Sequence, residues 1–274
     1  MTDFLLGSST KLLTVAIRVK DRDQAIAFYR DVLGFELKRE ENELAIFGLK
    51  GLDREVLWLE ESPRANDHFG EIKKMQRIVL AVSSLEEAAA IASNAQQKAI
   101  AFEEARYEAN QLGFLIADPE GNKIEVLFTA PAGTALPKDE AELIKAAPAK
   151  AAGLSKEAHF GKLYLNVSDL AKEQLFLEES LGLKTKEAET KEFILNDGDF
   201  QVGLTEAQGG TIDLPSHEVL GLDFLKISIS QEDIDTLEKH LSEKNQEFFI
   251  DKKRKLLTTY DAIGIEWWFI VKKQ

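Results

Sequence analysis

The strongest constraint on this chain is that part of it occurs twice. The stretch TVAIRVKDRDQAIAFYRDVLGF (Thr14–Phe35) is echoed by KLYLNVSDLAKEQLFLEESLGL (Lys162–Leu183). Val19 matches Val167, Asp21 matches Asp169, Phe28 matches Phe176 and Leu33-Gly34 matches Leu181-Gly182, all at an offset of 148 residues without a gap. Self-similarity at a fixed spacing marks a duplicated structural unit. In the first copy Val15, Ile17 and Val19 alternate as in a half-buried strand. Asp21 is a helix-start residue. Ala25, Phe28, Tyr29 and Val32 recur at i, i+3, i+4, i+7 as one apolar stripe, and Gly34 ends it. The spacing predicts a strand over Leu13–Val19 and a helix over Arg22–Leu33.

The same order, strand, helix and three strands, can be traced four times. In the first module the later strands are Phe35–Arg39, Glu43–Leu49 and Glu55–Glu60. The second opens with Ile78, Leu80 and Val82 in alternation, starts its helix at a Ser84-Leu85-Glu86-Glu87 capping box, and has a weak strand at Ala101–Glu104. Its last strands, Leu112–Ala117 and Ile124–Phe128, flank the turn DPEGN (Asp118–Asn122). The third covers about Phe160–Thr205, with a turn at Asn196-Asp197-Gly198, and the fourth about Leu222–Val271. The segment Ala130–Ala158 is rich in Ala, Pro and Lys, lacks strand alternation and reads as a spacer with a short helix around Lys138–Ala146. The predicted architecture is α+β: four βαβββ modules paired into two domains of curved mixed sheet, helices on the outer face. Its boundaries are 1–130, a linker over 131–158, and 159–274.

Composition narrows the partners. A net charge of −14 and a pI near 4.9 repel phosphate backbones, so nucleic acid is not an expected partner. There is no cysteine, which removes disulfides and thiol catalysis. The N-terminus lacks a basic segment before an apolar run, and no apolar stretch is long enough for a membrane span. The expectation is a soluble cytoplasmic protein.

The first stretch, together with DPEGNKIEV (Asp118–Val126), resembles the vicinal oxygen chelate superfamily of glyoxalases, extradiol dioxygenases and bleomycin-resistance proteins, built from paired βαβββ modules. More narrowly, WLEESPR (Trp58–Arg64) combined with FFIDKKRKLL (Phe248–Leu257) is similar to the streptococcal CppA family, whose name refers to degradation of complement C3. The superfamily resemblance implies a divalent metal held by His or Gln at the start of a module's first strand and by Glu on its last. It places the first ligand seven residues before the helix start. Here those positions are Thr14, Arg77, Lys162 and about Phe224, the last within one residue. The last-strand positions are Glu60, Glu125, Gln201 or Gly203, and Glu266. No first-strand position holds His or Gln, and two hold cations that would repel a divalent ion.

The expectation is therefore that ion pairs stand where a metal would have been: Arg77 beside Glu125 and Lys162 beside Glu266. Other catalytic patterns are missing. His68, His159, His217 and His240 lie outside the ligand positions, with no HExxH spacing. No G-x-S-x-G elbow occurs, and Asp197/Asp199 and Asp233/Asp235 read as turn and helix-start groups. If Glu266 faces the cleft, Trp267 is core and Trp268 shares the cleft face as a stacking surface. Phe47, Phe114 and Phe269 read as core. The candidate cleft residues are Thr14, Glu60, Arg77, Glu125, Lys162, Glu266 and Trp268, with no metal and no cofactor. The expected function is binding of a small molecule or protein partner. The alternatives are a glyoxalase- or dioxygenase-type metal enzyme, C3 proteolysis by family label, and a homodimeric interaction module.

Overall fold

The computed structural model describes residues 4–67, 71–149, 153–187, 189, 191–195, 198, 200–211 and 214–271. The first module consists of β1 (Lys11–Val19), α1 (Arg22–Ala27), β2 (Glu36–Glu41), β3 (Leu44–Gly48) and β4 (Glu55–Glu61). The second is β5 (Met75–Val82), α2 (Leu85–Gln97), β6 (Glu104–Tyr107), β7 (Gln111–Ala117) and β8 (Lys123–Thr129). After α3 (Glu140–Lys145), the third is β9 (His159–Val167), α4 (Leu170–Leu175), β10 (Lys184–Glu187), β11 (Glu192–Leu195) and β12 (Phe200–Glu206). The fourth is β13 (Gly221–Ile229), α5 (Gln231–Glu243), β14 (Phe248–Ile250), β15 (Leu256–Tyr260) and β16 (Glu266–Val271). His68, Asn196, Asp197 and Asp199 lie outside the described residues.

Two mixed eight-stranded sheets result, in the orders β14-β15-β16-β13-β1-β4-β3-β2 and β10-β11-β12-β9-β5-β8-β7-β6. The chain divides into two compact units, Met1–Arg18 with Arg64–Gln76 and Lys162–Gln274, and Val19–Pro63 with Arg77–Gly161. In the first unit β13 runs antiparallel to β1 and parallel to β16, and β15 and β14 follow antiparallel. Trp267 and Phe269 of β16 and Leu225 and Ile227 of β13 are fully buried, as are Ile234, Leu237 and Leu241 of α5. Each such side chain contributes roughly 1.5–3 kcal/mol. In the second unit β5 runs parallel to β8, with β7 and β6 antiparallel beyond it. Leu80, Val126 and Phe114 form one of its buried rows. Phe47 is fully buried as well.

The repeat extends to an irregularity. The helix expected over Arg22–Leu33 is regular only to Ala27 and then opens into a π-turn over Phe28–Val32; α4 does the same over Phe176–Ser180. The wide turns are closed by Leu33 N–H to Phe28 O at 3.2 Å and Leu181 N–H to Phe176 O at 3.1 Å, five residues apart as a π-turn requires. Asp21 and Asp169 cap the two helices by accepting from the N–H of Gln24 and Lys172. The weak strand of the second module is shifted to Glu104–Tyr107, because Phe102 leaves the ladder to stack on Phe114 at 4.3 Å.

The spacer segment carries its expected helix, capped by Asp139, yet it is anchored to the second unit: Leu143 and Leu154 are fully buried. Leu154 N–H bonds Gly34 O at 2.9 Å. Gly34 is obligatory twice over, with φ of +86° and with a Cβ that would lie 3.3 Å from the Gly153 backbone. Among the described residues no helix is long and apolar enough to cross a membrane.

Candidate functional site

In the second unit, β5 brings Arg77 and β8 brings Glu125 to one sheet face. Two turns set their positions. Ser84 caps α2 by accepting from Glu87 N–H, while the Glu87 carboxylate accepts from Ser83 and from Ser155 N–H. Burial opposes the charge on Glu87, but these bonds hold its pKa below the ordinary value. Ahead of β8, Asp118 Oδ1 accepts from the N–H of Glu120 and Asn122 at 2.9 and 2.8 Å and fixes where the strand begins.

Arg77 Nε lies 2.9 Å from Glu125 Oε2, an ion-pair contact in which the N–H is not aimed squarely at the oxygen. Arg106 of β6 binds the other oxygen, Oε1. Glu125 is 6% exposed, so two guanidinium groups offset a carboxylate that has lost most of its water. Arg106 reaches it across β7 because its cross-strand neighbour is Gly113, where a Cβ would sit 3.2 Å from Arg106 Nε. A cavity of about 80 Å³ lies against Arg77, Arg106, Glu104, Glu125, Phe114 and Leu115.

In the first unit the charges pair differently from expectation. Lys162 of β9 binds Glu192 of β11 and not Glu266, which stands on the other sheet. Lys186 approaches Glu192 at 3.5 Å, and Lys162 lies 4.5 Å over the Tyr164 ring. Burial raises the Glu192 pKa, but the two ammonium groups outweigh it and hold the carboxyl below its usual value. In the fourth module the helix cap is Ser230, in a capping box with Asp233. Seven residues earlier is Asp223, not Phe224. Asp223 is the extra residue of a bulge, with Ala16 opposite Phe224 and Ile17 opposite Leu222. It is 3% exposed and bonds Arg18 at 2.8 Å.

Thr14, Lys226 and Trp268 stand in one row across β1, β13 and β16, and Glu266 occupies the next same-face position opposite Phe224. Trp267 is buried in the core, while Trp268 on the other face stacks on Phe224 with centroids 4.2 Å apart and planes 5° from parallel. Glu60 is on β4 of the second unit, in register with Leu44. Asp223, Arg18, Arg106 and Glu192 were not singled out from sequence. The Ser230-Gln231-Glu232-Asp233 box was the available signal for Asp223; the other three depend on strand register.

The histidine ring nitrogens meet the Glu157 carbonyl (His159), the Tyr260 hydroxyl (His217) and the Glu179 carbonyl (His240). Among the described residues no group of three or more His, Asp and Glu could hold a metal ion. The first-strand positions present a hydroxyl, two cations and a carboxylate paired with arginine, a donor set that does not suit a divalent ion.

Residues 11–126 match the Glyoxalase/Bleomycin resistance protein/Dioxygenase superfamily. Residues 155–269 match the CppA C-terminal family. The fold is similar to that of CppA from Streptococcus pneumoniae TIGR4, at 21% identity and TM-score 0.65, covering 96% of this chain and 100% of that one. It is also similar to glyoxalase I from Zea mays, at 17% identity and TM-score 0.59, covering 96% and 92%. Among curated proteins none matches this chain in sequence.

Proposed function

We propose that this chain is a glyoxalase-fold binding protein that takes a small molecule on its sheet faces without a resident metal. The observation that supports it is the double guanidinium clasp on Glu125, with Arg77 in the position where the superfamily resemblance expects a metal ligand. A cation there offers a ligand charge and hydrogen bonds but no lone pair for a metal. The proteinase label attached to the CppA resemblance draws no support from the described histidines: His159 and His240 meet carbonyls, and His217 meets a phenol and the Glu218 carboxylate, rather than a serine or threonine hydroxyl.

The test is metal content after dialysis against Zn²⁺, Mn²⁺ and Ni²⁺, read by mass spectrometry on the wild type and on Glu125→Gln. The expected result is far less than one ion per chain in both. One ion per wild-type chain, lost in Glu125→Gln, would overturn the reading in favour of a metal enzyme. Purified protein is also expected to leave C3 intact, with and without chelator. The pair itself is tested by Arg77→Met with and without Glu125→Gln. Because Arg106 remains, the single change should cost about 1–3 kcal/mol instead of the 3–5 of a fully orphaned charge. Equal costs in both backgrounds would remove the pair from the argument.

A further inference from the structure

The clasp on Glu125 leaves the charges around it unevenly matched. Glu125 of β8, Leu115 of β7 and Glu104 of β6 stand opposite one another in a single row. Directly opposed residues point to the same side of a sheet, so both carboxylates lie on the face from which Arg77 reaches Glu125. Arg106 follows Glu104 by two residues on β6 and shares that face. Arg106 does not pair with Glu104. It reaches across Gly113 to Glu125, which Arg77 already contacts. Glu104 is exposed and, among the described residues, has no cation within ion-pair distance.

Two guanidinium groups thus share one carboxylate, while a second carboxylate stands unpaired beside them. Arg77, Arg106, Glu125 and Glu104 all line the same cavity of about 80 Å³. Arg106 donates to Glu125 through Nη2 alone, and its other N–H groups have no acceptor among the described residues. Those groups can still receive a carboxylate. The charges select among ligands. A simple anion meets the surplus of guanidinium but is repelled by Glu104, and a simple cation is repelled by Arg77 and Arg106. A molecule carrying both charges satisfies each end: its carboxylate accepts from Arg106, and its ammonium donates to Glu104. Size narrows the class further, because the cavity has room for about five to eight water-sized groups, which suits glycine or alanine.

We propose that the cavity beside Glu125 binds a small α-amino acid as its zwitterion. The inference rests on the reading that this sheet face takes a small molecule without a metal, and it names the class of that molecule. Arg106 holds the ligand carboxylate, Glu104 holds the ammonium, and Glu125 with Arg77 fixes the Arg106 guanidinium over Gly113. Glu104, on the edge strand β6, thereby acquires the role of choosing amino acids over simple carboxylates.

The test titrates L-alanine into the whole protein at pH 7, with acetate and methylammonium as comparisons that each carry one of the two charges. The readouts are the Gly113 amide and Leu115 methyl resonances. L-alanine should shift both saturably, acetate should bind about tenfold more weakly, and methylammonium should not bind. Glu104→Gln, at an exposed position, should weaken alanine about tenfold and bring acetate level with it. Arg106→Gln should lose both ligands. The inference is overturned by the absence of saturable shifts with alanine, by acetate binding the wild type as tightly as alanine, or by an unchanged ratio of the two affinities in Glu104→Gln. None of these results alters the metal measurement at Glu125. One ion per wild-type chain would overturn the metal-free reading itself, so the two failures are distinguishable.

Discussion

The two units each bury an aspartate at the turn before a last strand, and satisfy it in opposite ways. Asp118 in the second unit accepts from the N–H of Glu120 and Asn122 through Oδ1, and from Asn122 Nδ2 and the Tyr29 hydroxyl through Oδ2. Asp261 in the first unit accepts from the N–H of Ile263 and Ile265 through Oδ1, and from the Trp267 indole through Oδ2. The helix facing Asp118 sends a donor, Tyr29. The helix facing Asp261 sends an acid, Glu173, which is fully buried beside Asp261 and the backbone N–H groups of Ala262 and Ile263. In the repeat Glu173 stands where the first module has Ala25, one helical turn before the equivalent of Tyr29.

Burial and then the charge of Asp118 push the Tyr29 phenol well above its usual range, so it remains a donor. Burial and then the nearby Asp261 push Glu173 well above the carboxylate range, and burial lifts Asp261 to about 6. The lesson is that the backbone role of the turn is fixed, while the partner supplied by the helix decides whether the site responds to pH. A carboxyl whose folded pKa is raised adds stability in full below its unfolded pKa, 4.5 for Glu173 and 3.8 for Asp261. It loses that contribution as pH rises through the folded value. The first unit should therefore weaken from about pH 4 upward, most steeply between the unfolded values and about 6, whereas the Tyr29–Asp118 contact adds no such slope.

The largest effects should come from removing either turn acid. Asp118→Ala and Asp261→Ala each strand two backbone N–H groups, and each should cost about 2–5 kcal/mol in urea unfolding at pH 6. The comparison breaks if Asp261→Ala is instead stabilising at pH 8, since repulsion from Glu173 would then exceed the value of the turn bonds. Next in size is Glu173→Gln, which keeps the shape and removes the second negative charge. It should raise stability at pH 8 by about 2 kcal/mol, change little at pH 4, and flatten the pH profile between them. An unchanged profile would mean that Glu173 does not carry the proton assigned to it.

The helix stripe, the caps at Asp21 and Asp169, the glycine ends and the DPEGN turn were legible because each is a local signal. The apolar spacing could not reveal the π-turns, because one inserted residue still leaves Phe28, Tyr29 and Val32 on the buried side. The role of Asp261 was not legible because Asp261-Ala262-Ile263-Gly264 lacks the proline and asparagine that mark the DPEGN turn. The expected contact was right for Arg77 and Glu125, which lie on strands that adjoin within one module. It was wrong for Lys162: its partner Glu192 sits on β11, at a register that only the folded sheet displays. Glu173 left one readable trace, an acid where the duplicated helix has alanine, although nothing in sequence said that it would face Asp261.

The smallest effect is also the one that isolates the comparison most cleanly. Tyr29→Phe keeps the ring, which packs near Phe28, Phe35 and Phe47, and deletes only the hydroxyl on Asp118. Oδ2 retains Asn122 Nδ2 at 2.9 Å, so the acceptor is not abandoned and the loss should be about 1 kcal/mol. Its pH dependence is the telling part. A neutral phenol that stays protonated contributes equally at pH 5 and pH 8, so the loss should match at both. A loss that grows between those values would place a titrating group at this turn as well, and the contrast with Glu173 would no longer rest on the helix partner.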